Sequence, residues 1–506
     1  MDKKALLEKL HAIDRECRLL ERTASLLHWD LETYLPSLGV EERSEQLALL
    51  ESLHHERFTS LETERLLEEL GSTTDNPRGD EKLPELERDY LRRMRMDYDR
   101  EEKLPLDFVT AAAKAEGVSQ AAWVQARRDN NFAAFLPHLE NMIDFARKRS
   151  LYWGFKNKVY DGLLDIYEPN MGVFEIASVF TPLRERLSSL LKDIAMKPEP
   201  DCSFLNDEFS AEVQSKFNME LMKYLGFNTK RGRLDISAHP FTTTLGSNDV
   251  RITTRYFPDN FLSSIFSTIH ECGHAFYELN IPEEIRLSCL ADGASMGVHE
   301  SQSRLWENVI GRSLPFWEGL FPLLKECIPK RFDNVKAYDF YKAVNLAKPS
   351  LIRVEADEVS YCLHIILRFE LEQGLFSGAI KTSELPSIWR AKMKEYLGII
   401  PDTDSEGVLQ DVHWSHGSFG YFPSYALGNL YGLQFFGKLK ADISSFEDLV
   451  TKGDFLPIHD WLRDNIHKWG RRLAPGELLK KVTGEELSID PFLNYIKEKY
   501  SKIYGI

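Results

Sequence analysis

Pro258-Asp-Asn-Phe-Leu-Ser-Ser-Ile-Phe-Ser-Thr-Ile-His-Glu-Cys-Gly-His-Ala-Phe-Tyr-Glu-Leu-Asn-Ile-Pro282 has a helix start signal in Asp259 or Asn260 and a stop at Pro282. The spacing predicts a helix of about five turns. Ile265, Ile269, Cys272, Phe276 and Leu279 form its apolar stripe, and His270 and His274 project from a neighbouring face. Histidines four apart stand one turn from each other, so two imidazoles can grip one metal ion. Glu271 follows the first histidine directly, which lets its carboxylate flank the ion and reach a water.

A third ligand is expected on the next predicted helix, Gly297-Val-His-Glu-Ser-Gln-Ser-Arg304. Glu300 and His299 compete for the role. Adjacent helical residues point about 100° apart, so only one can face the ion, and Glu300 is the choice. The pattern H-E-x-x-H-x-x-G-x-x-H is excluded, because Tyr277 and Asn280 stand where it requires Gly and His. Two histidines and a glutamate leave one position open for water, which zinc acidifies toward a pKa of about 7. With Glu271 as general base, the chemistry expected is metal-assisted amide hydrolysis.

Outward from this segment the chain reads as mainly α. Amphipathic patterns run from Asp2 to about Leu70, where antiparallel helix pairs are expected, and again from Leu83 to Lys103, Ala121 to Lys158 and Val173 to Ile194. Turn-rich breaks fall at Gly71–Gly79 and Lys197–Asp201. Arg92, Arg93, Arg95 and Arg100 lie among Asp97, Asp99, Glu101 and Glu102, as on a solvated salt-bridge face. Between Arg233 and Phe257, Thr242, Thr243, Thr244, Val250, Ile252, Thr253, Thr254 and Tyr256 surround a Gly246-Ser-Asn-Asp249 turn, which predicts a small hairpin or short sheet before the metal helix. No repeat or linker divides the chain, so residues 1–506 are read as a single domain, with the helices to about residue 110 as a candidate lid.

The net charge of −16, from 79 acidic and 63 basic residues, disfavours a nucleic-acid partner. No stretch approaches the ~20 apolar residues of a membrane span. The N-terminus, MDKKALLEKLHAIDRECRLL, lacks a secretory h-region. Cys17, Cys202, Cys272, Cys289, Cys327 and Cys362 contain no C-x-x-C pair and read as reduced thiols. A cytoplasmic location is expected.

Six motifs, the two above among them, resemble the carboxypeptidase Taq family of metallopeptidases, in family order: His239-Pro-Phe241; Asp249-Val-Arg-Ile-Thr253; His270-Glu-Cys-Gly-His274; His299-Glu-Ser-Gln302; Ile352-Arg-Val-Glu-Ala-Asp357; and Gly407-Val-Leu-Gln-Asp-Val-His-Trp414. His28-Trp-Asp30 and Gly417-Ser-Phe-Gly-Tyr-Phe-Pro423 extend the likeness over almost the whole chain. The resemblance implies a large helical metallopeptidase with a deep central groove. It implies removal of single residues from peptides with a free C-terminal carboxylate, one zinc per chain that cobalt can replace, and a homodimer.

It also bears on the remaining residues. Arg353 is the candidate for the terminal carboxylate, since a guanidinium binds carboxylate through two parallel hydrogen bonds, against the plainer reading of a helical ion pair with Asp357. Arg251 contacts substrate or pairs with Asp249. His239, in extended backbone before Pro240, lines the groove or is structural. His413 and Tyr421, with Tyr425 nearby, are candidates for contact with the oxyanion. Gln410 and Asp411 orient metal ligands or cap a helix. A zinc endopeptidase, a dipeptide-releasing carboxypeptidase and a non-catalytic metal-binding scaffold are the competing readings.

Overall fold

The structure, a computed structural model, describes residues 2–506. Its regular structure is helical apart from one small sheet. Lys3–Thr33 starts at Asp2, whose side chain accepts from the Lys4 N–H, and packs against Val40–Phe58; Leu61–Glu69 and Glu85–Glu102 follow. Their apolar faces form a cluster of their own, including Leu10, Ile13, Phe58, Leu67, Tyr90 and Met94. Ile281, Ile285, Cys289 and Leu290, from the segment after the metal helix, are part of this cluster.

The predicted helix over 121–158 is two helices, Leu106–Arg128 and Phe132–Trp153. The break falls where Asn130 takes a positive φ of 51° and the Asn131 side chain caps the second helix through Ala134 N–H. The arginines of Glu85–Glu102 do pair, Arg93 with Asp97 and Arg95 with Asp99, yet the face is not simply solvated. Arg93 is buried, Arg100 pairs with Asp165, and Arg92 reaches the Arg472 carbonyl and Glu477. The arginines tie the N-terminal helices to the rest of the chain.

The expected hairpin is present as β2 (Thr242–Gly246) and β3 (Asp249–Thr254), antiparallel, with β1 (Gly232–Ile236) added parallel to β3 in the order β1-β3-β2. Adding a Cβ to Gly232 would bring it within 2.2 Å of the Val250 carbonyl oxygen, so only glycine lets β1 approach there. Behind the sheet lies Phe261–Leu279, started by the Asn260 side chain accepting from Ser263 N–H. Its whole predicted stripe is buried in the main core, which also takes in Trp306, Trp317, Phe369 and Leu430. All six cysteines are free, and among the described residues no helix is long and apolar enough to cross a membrane.

Candidate active site

Met296–Arg304 crosses Phe261–Leu279 at Gly273, where an added Cβ would lie 2.6 Å from the Ser303 Cα. The glycine inside H-E-C-G-H therefore permits the approach that brings Glu300 to the histidines. Nε2 of His270 and Nε2 of His274 stand 3.7 and 3.4 Å from Oε2 of Glu300. A tetrahedral ion with ligands at about 2.1 Å holds them about 3.4 Å apart, so the spacing suits zinc or a similar cation.

Each of the three side chains is held from behind. Nδ1 of His270 is 2.9 Å from Oε2 of Glu307, and Nδ1 of His274 is 2.6 Å from Nδ1 of His299, whose Nε2 is 2.7 Å from Oε1 of Glu278. Glu300, not His299, therefore faces the two imidazoles, and His299 stands behind His274. Oε1 of Glu300 accepts from Arg304 Nε at 2.7 Å, while Oε2, which also accepts from Ser303 Oγ at 3.3 Å, faces the two imidazoles. Burial opposes the Glu300 charge, but Arg304 and His270 outweigh it and hold the carboxyl well below the usual range. Burial, only partly opposed by Glu300, pushes His274 down to about 3, the unprotonated form a metal requires.

Glu307 was not foreseen. After Arg304 the ligand helix widens into a π-helical turn, Leu305–Ile310, in which Gly311 N–H reaches the Trp306 carbonyl. That turn brings Glu307, two turns beyond Glu300, onto His270. Thr242 of β2 was also missed; its hydroxyl donates to Oε2 of Glu271 at 2.6 Å. Glu271 is buried, and burial raises its pKa against the opposing pull of His270 and Thr242. The only advance signal for either contact was the presence of polar residues in expected core or sheet positions.

Arg353 lies in a short 3-10 turn, Arg353–Glu355, rather than on an α-helix, so the ion pair with Asp357 does not form; Asp357 instead accepts from the N–H groups of Val359 and Ser360. Its partner is Asp411, whose Oδ1 accepts from Nε and Nη2, both at 2.9 Å. Asp411 also receives Arg368 Nε at 2.6 Å, and Gln410 accepts from the Arg353 N–H at 2.9 Å. Thus Gln410 and Asp411 neither orient metal ligands nor cap a helix; they fix Arg353. Arg304 stacks on Tyr361, 4.2 Å from the ring centre, and the Tyr361 hydroxyl accepts from Arg353 Nη1 at 3.3 Å, which joins this group to the ligands.

His413 and Tyr421 belong to the same assembly. Nε2 of His413 is 3.1 Å from the Tyr425 hydroxyl, and the rings of His413 and Tyr421 stack at 5.7 Å. Arg353 lies over Tyr425 at 5.0 Å. Arg251 is paired through two hydrogen bonds with Asp249 and stacks on Trp29 of the first helix at 4.2 Å. His239 is exposed in the β1–β2 connection, with its carbonyl accepting from Ser237 Oγ at 2.6 Å.

Comparison with known proteins gives a consistent answer. The family described as carboxypeptidase Taq (M32) metallopeptidase matches residues 9–500. The chain is 41% identical to carboxypeptidase 1 of Bacillus subtilis, over 95% of each chain, and 40% identical to thermostable carboxypeptidase 1 of Thermus thermophilus over the full length of both. The M32 carboxypeptidase of Deinococcus radiodurans superposes with a TM-score of 0.95 at 34% identity, covering 99% of this chain and 100% of that one. A carboxypeptidase of Pyrococcus furiosus gives 0.93 at 39% identity, covering 98% and 99%. The chain belongs to the carboxypeptidase Taq (M32) family and is a metallocarboxypeptidase.

Proposed function

We propose that this metallocarboxypeptidase uses zinc held by His270, His274 and Glu300, and releases amino acids one at a time from free peptide C-termini. The observation that carries the metal assignment is the convergence of two Nε2 atoms and one carboxylate oxygen, each backed by a hydrogen-bonded group on its far side. The ion, when bound, supplies Lewis acidity toward the scissile carbonyl and the attacking water. Cobalt, with similar ligand preferences, is expected to replace it.

Glu271 is the general base. Thr242 fixes its carboxylate, and burial raises its affinity for a proton, so it takes one from the attacking water and delivers it to the leaving amine. Arg353 is the group for the terminal carboxylate. Asp411 occupies its Nε/Nη2 edge and the Tyr361 hydroxyl accepts one Nη1 hydrogen, so a second, bidentate partner would use the remaining hydrogen on each of Nη1 and Nη2. His413 and Tyr421, with Tyr425, offer donors to the developing oxyanion. Arg251 and His239 would line the path of the substrate chain.

The N-terminal helices, with an apolar cluster of their own, would serve as a lid. Six free cysteines suit a reducing compartment, here the cytoplasm. A homodimer follows from the family resemblance.

The test is mass spectrometry of an unblocked peptide and its amidated twin, with metal-loaded and chelator-treated protein. Stepwise loss of single residues from the free acid only, and only with metal, is expected. Dipeptide products, internal cuts or cleavage of the amidated twin would overturn the single-residue reading.

A further inference from the structure

The two metal-ligand histidines are supported in different ways. His270 meets a carboxylate directly, Glu307, at 2.9 Å. His274 meets a second imidazole, His299, at 2.6 Å, and only beyond that a carboxylate, Glu278, at 2.7 Å. If Nε2 of His274 is to face a metal, its Nδ1 must carry the proton and donate it. Nδ1 of His299 must then accept, which puts the His299 proton on Nε2, where Glu278 Oε1 receives it. One proton arrangement satisfies every contact, and Glu278 is the group that selects it.

The relay is held from both ends. The His299 ring lies between His274 and Tyr277, with ring centres 4.7 and 5.2 Å away. A Cβ on Gly293 would come within 2.9 Å of His299 Cδ2, so glycine makes room for the ring. On the other side, Thr244 Oγ1 donates to Oε2 of Glu278 at 3.1 Å. Thr242 and Thr244 share one face of β2, and Glu271 and Glu278, two helical turns apart, share one face of Phe261–Leu279. A single strand thus aligns both the residue assigned as general base and the carboxylate that backs His274.

We infer that Glu278 is a positioning residue for the metal site, acting through His299 to fix the tautomer and ring orientation of His274. This rests on the metal assignment proposed above. Asp292 joins Glu278 and His299 in a trio whose potential ligand atoms lie within 4.8 Å of one another. In the relay, however, His299 Nε2 carries a proton and is no ligand, so one ion per chain is expected.

The experiment is reloading of the metal-free protein with Zn2+ and Co2+. It follows the dissociation constant by chelator competition, the number of ions bound, the Co2+ absorption spectrum and the Tm of the metal-free protein. Removal of such a supporting partner weakens metal binding 10–100-fold. E278A is expected to show that loss and an altered Co2+ spectrum, and E278Q, which keeps an acceptor, a smaller loss. Wild-type affinity and spectrum in E278A, or a second ion bound per wild-type chain, would overturn the relay. Should E278A fail to fold, E278Q decides: a loss of about threefold or more with a shifted spectrum supports the relay, and an unchanged constant and spectrum overturn it. Failure of the wild-type protein itself to bind either ion would instead remove the metal assignment.

Discussion

Gly428 lies so close to Glu300 that a Cβ at position 428 would stand 2.5 Å from the Glu300 Cγ and 2.7 Å from its Cβ. The helix Phe422–Asp442 thus forms the back wall behind Glu300, and Gly432, one turn on, meets the Ser301 carbonyl in the same way at 3.1 Å. Gly428→Ala is expected to cost about 1–3 kcal/mol of stability through overpacking and to weaken metal binding by displacing Glu300. Gly437→Ala, on the same helix with open space around the position, should gain up to about 1 kcal/mol. Thermal unfolding and metal titration of the pair check this. Equal behaviour of the two variants would show that the close approach does not matter.

Glu271→Gln keeps the size of the side chain and an acceptor for Thr242, and it leaves all three ligands untouched. It should bind metal as the wild type does while kcat falls at least about 100-fold, the usual contribution of a general base. Metal content and single-turnover rates measure both quantities. Wild-type turnover in this variant would remove Glu271 from the mechanism.

Asp411 serves two guanidinium groups, Arg353 and Arg368, both buried. Neutralising it leaves two buried cations close together without compensation, whereas removing Arg353 leaves the Arg368–Asp411 pair intact. Asp411→Asn should therefore cost about 3–5 kcal/mol, and Arg353→Met distinctly less. In the assay, Arg353→Met should raise KM for free-acid peptides and lose preference over the amidated twin, with stability loss too small to account for it. Retained preference for the free acid would exclude Arg353 as the carboxylate group.

The reach of the sequence follows the distance over which each signal acts. Helical spacing alone brings His270, Glu271 and His274 together, whereas adjacency says only that one of His299 and Glu300 can join them; packing against Gly273 and Gly428 turns Glu300 toward the histidines. Glu307, Thr242 and Glu278 enter the site only through tertiary packing and a π-helical turn, which no local period encodes. The Arg353–Asp357 ion pair failed for a local reason. Asp357 precedes the helix Tyr361–Ser377 and turns its side chain to the free N–H groups at that end, so the α-helical spacing assumed for it does not exist. A short sheet is expected in this stretch, but β1 and its parallel pairing with β3 are not specified by it, because the connection between them carries no turn signal that marks a parallel pair.

Asp14 offers a test of how the N-terminal helices are held. It is buried in their apolar cluster, accepts from the Cys289 N–H at 2.8 Å, and has Arg18 at 3.9 Å, while Arg18 makes its closer bond to Glu21 at 2.8 Å. Burial, incompletely offset by Arg18 and the Cys289 bond, pushes its pKa up to about 6 from 3.8. A carboxyl with a raised folded-state pKa binds its proton in the native state first. The protonated form therefore favours folding as pH falls through about 6, and that contribution is lost as pH rises above it. Asp14→Asn, which keeps the acceptor for Cys289 without the charge, should unfold at a higher temperature than wild type at pH 8, by the equivalent of up to about 3 kcal/mol. The gap should close toward pH 4–5, where the wild-type carboxyl is protonated in the native state. A gap that stays constant from pH 8 to pH 5 would show that Asp14 is ionised at little cost, and that the contact between the first helix and the Ile281–Leu290 segment is more hydrated than its burial indicates.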